Sequence, residues 1–452
     1  MTNRTQLRQM GAFDTRVPRY TSYPAANHFS STVGPRQLSG WLGGVAPGSA
    51  ISLYIHVPFC RRLCWFCACR TQGTTTAAPV AAYLGTLKRE IAMAAKALPP
   101  DTRLARMHWG GGTPTILEAP NMADLADWVA RHFPFAEGAE FSVEIDPNEI
   151  DEPRLDALGA AGMTRASIGV QDFNGRIQQA IGRPQSFETT RAAVHGLRAR
   201  GIDSLNIDMV YGLPHQTQAS LSESIQRVLS LGPDRVALYG YAHVPWMARR
   251  QAMIPDAALP DAEARIDLFD TAERLFLWDG FGRIGIDHFA RHGDSLARAA
   301  ATGNLRRNFQ GYTDDTSEVL FGIGASAISK LPGGYAQNAS ATSEYRKRIE
   351  AGAFATARGH ELTHDDRTRG AIIEALMCGF AVDPAALAQQ TGLPLDRLKA
   401  RLSGLGAAFP GMVRETAGGG VRITRKGRPL TRIIASRLDA YASTGPAHSL
   451  AV

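Results

Sequence analysis

Cysteine is scarce, five residues in 452, and unevenly placed: Cys60, Cys64, Cys67 and Cys69 fall within ten residues, and Cys378 stands far down the chain. A disulfide framework spreads its cysteines through a small secreted domain, so this crowding excludes one and points to a metal or a cluster in a reducing compartment. No apolar run approaches the ~18 residues that cross a bilayer. The N-terminal MTNRTQLRQMGAFDTRVPRYTSYP also lacks the apolar core of a signal peptide. The expectation is a soluble, cytoplasmic protein with no membrane partner. Internal repeats and long low-complexity tracts are absent too. Acidic residues fall a little short: 42 Asp and Glu face 49 Lys and Arg, a net charge of +7. That balance suggests an acidic partner without choosing among nucleic acid, phosphate and carboxylate. The basic residues are scattered rather than gathered on one element, which argues against a nucleic-acid-binding protein with a structural metal.

The chain is about three times the usual ~150 residues of a domain, and at 44% apolar and 20% charged it has the composition of a globular protein. Short β-branched or aromatic runs at 51–59, 106–110, 141–146, 165–171, 204–212, 235–242 and 283–290 alternate with segments of helical period. One of these, 79–98, repeats apolar residues at spacings of three and four through Val80, Tyr83, Leu84, Leu87 and Ile91. Such alternation predicts an α/β fold on a parallel sheet. Six or so β-α units are too few to close an eight-fold barrel, so an incomplete, curved (β/α)6-type barrel is expected. Residues 1–50 read as an irregular segment lying against the barrel, 51–362 as the barrel and its extension, and 363–452 as a small, mostly helical, winged-helix-like domain. Thr363 is the expected N-cap of its first helix, followed by Asp365 and Asp366.

In YIHVPFCRRLCWFCAC the cysteines are separated by three, two and one residues. Three thiolates on one loop can hold three irons of a cubane cluster and leave the fourth iron open for chemistry. The alternative, a closed structural zinc site, would need Cys69 as fourth ligand within the same short loop, where tetrahedral geometry is poor. Other chemistry-bearing residues fall in phase with the strands. Gly110-Gly111-Gly112-Thr113-Pro114-Thr115 follows the second strand, and Glu144 and Asp146 lie on the third. Gln171 and Asp172 end the fourth, Asp208 lies on the fifth, and Ala242 and His243 follow the sixth. Each lies at or near the carboxyl end of its strand, the face that carries active sites in β/α barrels.

The Cys-x3-Cys-x2-Cys spacing resembles the radical S-adenosylmethionine superfamily. Across the whole chain, VPRYTSYP, HWGGGTPT, VEIDP, GVQDFN, NIDMVYGLP, YAHVP, DHFAR, RNFQGYT and GASAIS narrow that resemblance to the oxygen-independent coproporphyrinogen III oxidase family. Its members convert two propionates of coproporphyrinogen III to vinyl groups in haem biosynthesis. The resemblance implies that Cys60, Cys64 and Cys67 ligate a 4Fe-4S cluster. It implies further that Tyr54, Gly111, Glu144 and Ile328 contact one S-adenosylmethionine, and Phe66, Gly112, Thr113, Gln171, Arg183, Asp208 and Ala242 a second. Chemically, Glu144 suits a positive amino group, Asp208 ribose hydroxyls and Arg183 a carboxylate.

Tyr54, Cys69 and Gln310 are further candidates for catalytic roles, with Cys69 open between substrate-side chemistry and local support. Gln310 and Tyr312 are candidates to close the site, and Arg19, Arg291 and Arg307 to bind propionates. Cys378 reads as a buried thiol. The resemblance also implies a low-potential donor such as flavodoxin or ferredoxin, and a monomer is expected. Asn148, His292 and Asp314 depart from the family pattern and place the positioning of substrate in question. The rival reading is a related haem-binding chaperone; Cys69, VPRYTSYP and RNFQGYT speak against it.

Overall fold

The structure, a computed structural model, describes residues 4–442, 450 and 451. Strand β1 (Ala50–Val57) opens the main sheet, and a short parallel pair, β2 (Phe59–Cys60) and β3 (Gln72–Gly73), brackets the cysteine loop. Five more parallel strands follow β1 in order: β4 (Arg103–Gly111), β5 (Phe135–Ile145), β6 (Arg165–Gln171), β7 (Ser204–Tyr211) and β8 (Arg235–Gly240). The residues that face the covering helices, such as Ile51, Leu53 and Ile55 on β1 and Leu205, Ile207 and Met209 on β7, are almost wholly buried. They alternate with half-buried positions, such as Asn206 and Asp208, that face the interior of the barrel. The covering helices include Ala78–Ala97, which buries Val80, Tyr83, Leu84, Leu87 and Ile91 as their spacing predicts.

The sheet remains open. Past β8 come β9 (Phe281–Ile284) and β10 (His288–Arg291), an antiparallel pair where the sequence suggests one strand over 283–290. The apolar alternation of RIGIDHFA conceals a reversal at Gly285. Its φ of +55° favours glycine, and a Cβ there would stand 2.0 Å from the Tyr312 ring. A hairpin, β11 (Arg306–Asn308) and β12 (Gly311–Thr313), lies apart from the sheet. On the other side of β1, β13 (Leu320–Ile323) pairs in parallel, and β14 (Ile328–Leu331), β15 (Gly334–Asn338) and β16 (Thr356–Glu361) continue antiparallel to the far edge.

The helix His364–Gly379 begins at Thr363 with a reciprocal cap. The Thr363 hydroxyl accepts from the Asp366 N–H (3.1 Å), and the Asp366 carboxylate accepts from the Thr363 N–H (3.0 Å). Helices Pro384–Thr391 and Leu395–Leu402 and a three-stranded sheet of β17 (Ala381–Val382), β18 (Val413–Thr416) and β19 (Gly420–Ile423) complete a winged-helix-like unit. The N-terminal segment, irregular apart from helices Arg4–Gln9 and Pro35–Gly43, divides between two cores. Leu7, Val17, Tyr20 and Tyr23 pack with the C-terminal unit, whereas Val33, Leu38, Leu42 and Val45 pack with the barrel.

Glu90, wholly buried on the helix Ala78–Ala97, ties the barrel to its extension. Its carboxyl accepts from the Tyr345 hydroxyl (2.6 Å), the Gly324 N–H (2.8 Å) and Asn338 Nδ2 (2.8 Å). Burial pushes it up to about 7 against those hydrogen bonds. The folded chain therefore holds a proton that the unfolded chain releases near 4.5. The stability that this group contributes is present at low pH, declines as pH rises from about 4.5 to about 7, and is flat above. In urea unfolding curves Glu90→Gln is expected to remove that slope, and Glu90→Ala to cost about 3 kcal/mol by leaving buried donors unpaired. Identical pH slopes in wild type and the Gln variant would assign the titration to another group.

Candidate active site

The carboxyl ends of the parallel strands surround a cavity of about 350 Å³. The cysteine loop forms its mouth, bordered by Cys60, Cys64, Phe66, Cys67 and Cys69. Three anchors hold that loop. The Trp65 N–H donates to Ile181 O (2.9 Å), and the Trp65 indole lies where a Cβ on Gly182 would be. Gln251 Nε2 donates to both Phe66 O (2.8 Å) and Ala242 O (3.0 Å), stitching the loop to the end of β8. The glycine run after β4 closes against the loop through Gly112 N–H to Val57 O (2.8 Å) and Thr113 N–H to Phe59 O (2.9 Å). Gly111 has φ +115°, and a Cβ there would strike the His56 ring at 2.6 Å, so this close approach requires glycine.

Each thiol of the Cys-x3-Cys-x2-Cys motif receives a donor. The Thr113 hydroxyl stands 3.5 Å from Cys60 Sγ, Arg183 Nη1 3.5 Å from Cys64 Sγ, and the Cys69 N–H 3.4 Å from Cys67 Sγ. Hydrogen bonds from Cys69 hold the Cys67 thiol below its ordinary value, and the same pairing raises Cys69. Burial raises Cys60, to about 11, and also Cys64. Among the described residues no group of three or more His, Cys, Asp or Glu side chains could hold one metal ion. Thiolates that each ligate a different iron of a cluster do not need that proximity, and donors aimed at their sulfurs are the outer-shell contacts such ligands take.

Deeper in the cavity stand groups suited to a zwitterionic ligand. Glu144 accepts from the Gly111 N–H (3.1 Å) and lies 3.5 Å from His108 Nε2. Burial alone would raise its carboxyl, but His108 and the Gly111 N–H hold it below the ordinary range. Arg183 donates to Asp146 (3.1 Å) and Gly169 O (2.9 Å), while its buried Nε has no hydrogen-bond partner among the described residues. Asp208 accepts from Asn206 Nδ2 (2.8 Å) and the Ser167 hydroxyl (3.1 Å), and Asn206 Oδ1 has no hydrogen-bond partner among the described residues. Gln171 adopts φ +69°, unusual for a residue with a side chain, at the point where β6 meets the cavity. Open donors and acceptors and a half-buried glycine edge along the cavity make a cradle that fits a cluster-bound amino acid with a nucleoside attached.

The sequence model of the radical SAM superfamily matches residues 54–228. An oxygen-independent coproporphyrinogen III oxidase of Paracoccus denitrificans (strain Pd 1222) is 57% identical over the full length of both chains. The enzyme of that name from Escherichia coli (strain K12) is 39% identical over 94% of this chain and 93% of its own. The solved structure of coproporphyrinogen III oxidase from Escherichia coli, described as a radical SAM enzyme, superimposes with a TM-score of 0.88 at 37% identity, covering 94% of this chain and all of the other. The chain belongs to the oxygen-independent coproporphyrinogen III oxidase family. It is a radical SAM oxidoreductase, and the superfamily implies a 4Fe-4S cluster and S-adenosylmethionine.

In this family member the small cavity gathers most of the residues singled out from sequence: the four clustered cysteines, Phe66, Gly111, Gly112, Thr113, Glu144, Gln171, Arg183, Asp208, Gln310 and Tyr312. Tyr54 lies behind it, its ring stacked on His108 at 5.7 Å and its hydroxyl 3.0 Å from His56 Nδ1. Ala242 borders a second, larger cavity, and Ile328 opens β14 and borders neither. Cys69 serves Cys67 through its main chain and turns its carbonyl to Arg250 Nη2 (3.3 Å). Cys378 is half-buried beside Arg307 and Glu374.

Of the three proposed propionate arginines, Arg19 and Arg307 border the large cavity. Arg291 is elsewhere: β10 runs antiparallel to β8 and carries it back to the amino end of the sheet, where it pairs with Asp279 at 3.0 Å. Asp314 joins an ion network at that same closed end. It lies 3.0 Å from Arg106, which pairs with Glu140, while Arg165 reaches Glu140 and Arg235 reaches Asp294. Its departure from the family pattern therefore supplies structural charge at the barrel floor. Asn148 braces Asp146 and Pro184 on either side of Arg183, and His292 lies in an exposed turn. Sequence reasoning missed His56, His108, Arg250 and Gln251. The first two lie on β1 and β4, two residues from Tyr54 and Gly110, and their strand phase toward the site was the available signal.

Asp208 yields a prediction. Burial, reinforced by Glu144, pushes it up to about 6, so at pH 8 the folded chain keeps a carboxylate ionised where protonation is favoured. The folded-state pKa exceeds the unfolded value, and stability from this group is lost as pH rises from about 4 to about 6. Asp208→Asn is expected to raise the melting temperature of the cofactor-free chain at pH 8 and to weaken S-adenosylmethionine binding about tenfold or more. A lowered melting temperature with unchanged cofactor affinity would overturn both assignments.

Proposed function

We propose that this chain oxidatively decarboxylates two propionates of coproporphyrinogen III to vinyl groups without oxygen, giving protoporphyrinogen IX for haem biosynthesis. The observation that carries the reading is one cavity bordered at its mouth by three hydrogen-bonded thiols and, within, by Glu144, Arg183 and Asp208. Cys60, Cys64 and Cys67 would hold the cluster. Bound there, the cluster and S-adenosylmethionine would supply the hydrogen-atom abstraction chemistry that a propionate β-carbon needs before decarboxylation.

The protein's own part is positional. Glu144 takes the ammonium of the first S-adenosylmethionine, and the Gly111–Thr113 edge lies along the ligand. Arg183 Nε is the open donor for the carboxylate of a second molecule, whose ribose Asp208 accepts from. Gln251 and Arg250 keep the cysteine loop closed against water. Gln310, at the β11–β12 turn, borders the same cavity and is placed to close the site over substrate. The proposal extends to a low-potential donor such as flavodoxin or ferredoxin and to a monomer in the cytoplasm. Among the described residues no helix is long and apolar enough to cross a membrane.

Anaerobic reconstitution of the cluster, followed by S-adenosylmethionine, a reductant and coproporphyrinogen III, tests the reading. Products are oxidised to porphyrins and separated, and protoporphyrin is the expected outcome. Stoichiometric haem binding with no protoporphyrin would favour the chaperone.

A further inference from the structure

The larger cavity, about 1380 Å³, adjoins the small one. Tyr239, His288 and Tyr312 border the small cavity, while Gly240, Asp287 and Arg307, next to them in sequence or space, border the large. Its walls carry eleven Arg or Lys against six Asp or Glu, an excess that favours an anionic occupant.

Arg307 stands at the partition with only 4% of its side chain exposed. Its guanidinium lies over the Tyr312 ring at 4.4 Å, and Nη2 is 3.5 Å from Asp287. Its Nε and Nη1, both buried, have no hydrogen-bond partner among the described residues. A buried guanidinium with two open donors is costly unless a ligand takes them, and each can make a charge-assisted hydrogen bond to a carboxylate oxygen. Arg19, exposed on the VPRYTSYP segment, reaches the same wall and donates to Gly240 O at 2.7 Å. The positive charges there act on one another. Arg432 is brought down to about 9, first by burial and then by Arg19, with Arg307 adding to it. Asp287 is held low by Arg307, His288 and Arg19 against its burial.

We propose that Arg307 and Arg19 bind the carboxylates that the reaction leaves in place, anchoring the tetrapyrrole in the large cavity while a reacting propionate occupies the small one. The inference rests on the function proposed above and names the groups that read its substrate. An anchor on a carboxylate destined for loss would release the half-converted molecule. One that grips the retained carboxylates holds substrate and monovinyl intermediate alike.

The test is titration of the full-length, cluster-loaded protein with coproporphyrin III, with the dicarboxylic deuteroporphyrin IX, and with the tetramethyl ester of the first, following porphyrin fluorescence. Arg307→Gln and Arg19→Gln are each expected to weaken both free acids by a similar factor, about tenfold or more, with Arg307→Lys recovering part of the loss. The ester binds weakly to every variant, and S-adenosylmethionine affinity is unchanged. Unchanged affinity for the acids, or a loss confined to the tetracarboxylate, overturns the proposal. Should Arg307→Gln fail to fold, Arg19→Gln and Arg307→Lys decide. A wild-type chain that shows the arginine-dependent binding yet makes no protoporphyrin overturns the proposed function and leaves this site standing. Turnover with binding insensitive to either arginine does the reverse.

Discussion

Cys64→Ser is expected to abolish turnover and strip the iron from the protein while leaving its fold in place. Cys64 is the most buried of the clustered thiols, and its sulfur receives Arg183 Nη1. A serine hydroxyl is far less acidic than a thiol, so at neutral pH it presents a protonated, hard oxygen where a soft thiolate is needed. Outer-shell changes around metal ligands cost ~10–100-fold, and loss of a ligand exceeds that range. The loop itself keeps its shape, because the Trp65 N–H to Ile181 O bond and the Gln251 bridge do not involve the sulfur. The isosteric change should therefore leave the melting temperature of the iron-free chain close to wild type. Iron per chain, the visible absorption of the cluster and protoporphyrin yield are the readouts. Cys69→Ser is the control: with three other thiols as ligands it retains its iron. A Cys64→Ser chain with full turnover would sink the cluster assignment, and loss of iron from Cys69→Ser would add a fourth ligand.

The contrast between these two cysteines shows what was legible before folding. The family resemblance carried by the Cys-x3-Cys-x2-Cys spacing implied that Cys60, Cys64 and Cys67, and not Cys69, are the ligands. The six parallel strands were visible because apolar, often β-branched residues recur in each run, and most of the residues in phase with their carboxyl ends do converge on one cavity, whereas Asp172 is buried against Gln216 and Ser224, and Ala242 and His243 border the larger cavity. Features that depend on chain reversal were hidden. The turn at Gly285 lies inside an alternating run, and the antiparallel course of β10 that follows carries Arg291 away from the site and leaves His288 in it. Strands β13 to β16 are only four to six residues long, so their period-2 signal never accumulates. Arg250 and Gln251 come from a segment, VPWMARRQAM, with no periodicity at all, and only folding shows that it caps the cysteine loop. The net charge also gained content: the sequence offered an unplaced excess of cations, and the fold collects many of them around one cavity.

Glu144→Gln is expected to leave the cluster intact and to lower kcat/KM for S-adenosylmethionine by about 100-fold. The carboxylate stands partly exposed in the cavity wall, where the desolvation it does meet would favour its neutral form, yet His108 and the Gly111 N–H hold it ionised. The protein thus sustains a negative charge facing the cavity, a feature that serves a positive ligand group and has little use otherwise. Gln keeps the size and can still accept from Gly111, but it cannot form a charge-assisted hydrogen bond with an ammonium. Such bonds contribute about 1.5–3 kcal/mol, and breaking a buried pair costs about 3–5 kcal/mol. About 100-fold lies inside that span. The pH dependence carries the sign: the folded pKa of Glu144 is depressed, so the charge is present above the ordinary carboxylate range and is lost only as pH falls through the lowered value. Wild-type cofactor binding should therefore stay level from neutral pH down through the ordinary carboxylate range, and the Gln variant should be weak throughout. Iron content and cluster absorption equal to wild type would place the loss in cofactor binding. A variant with wild-type affinity for S-adenosylmethionine would remove Glu144 from the site.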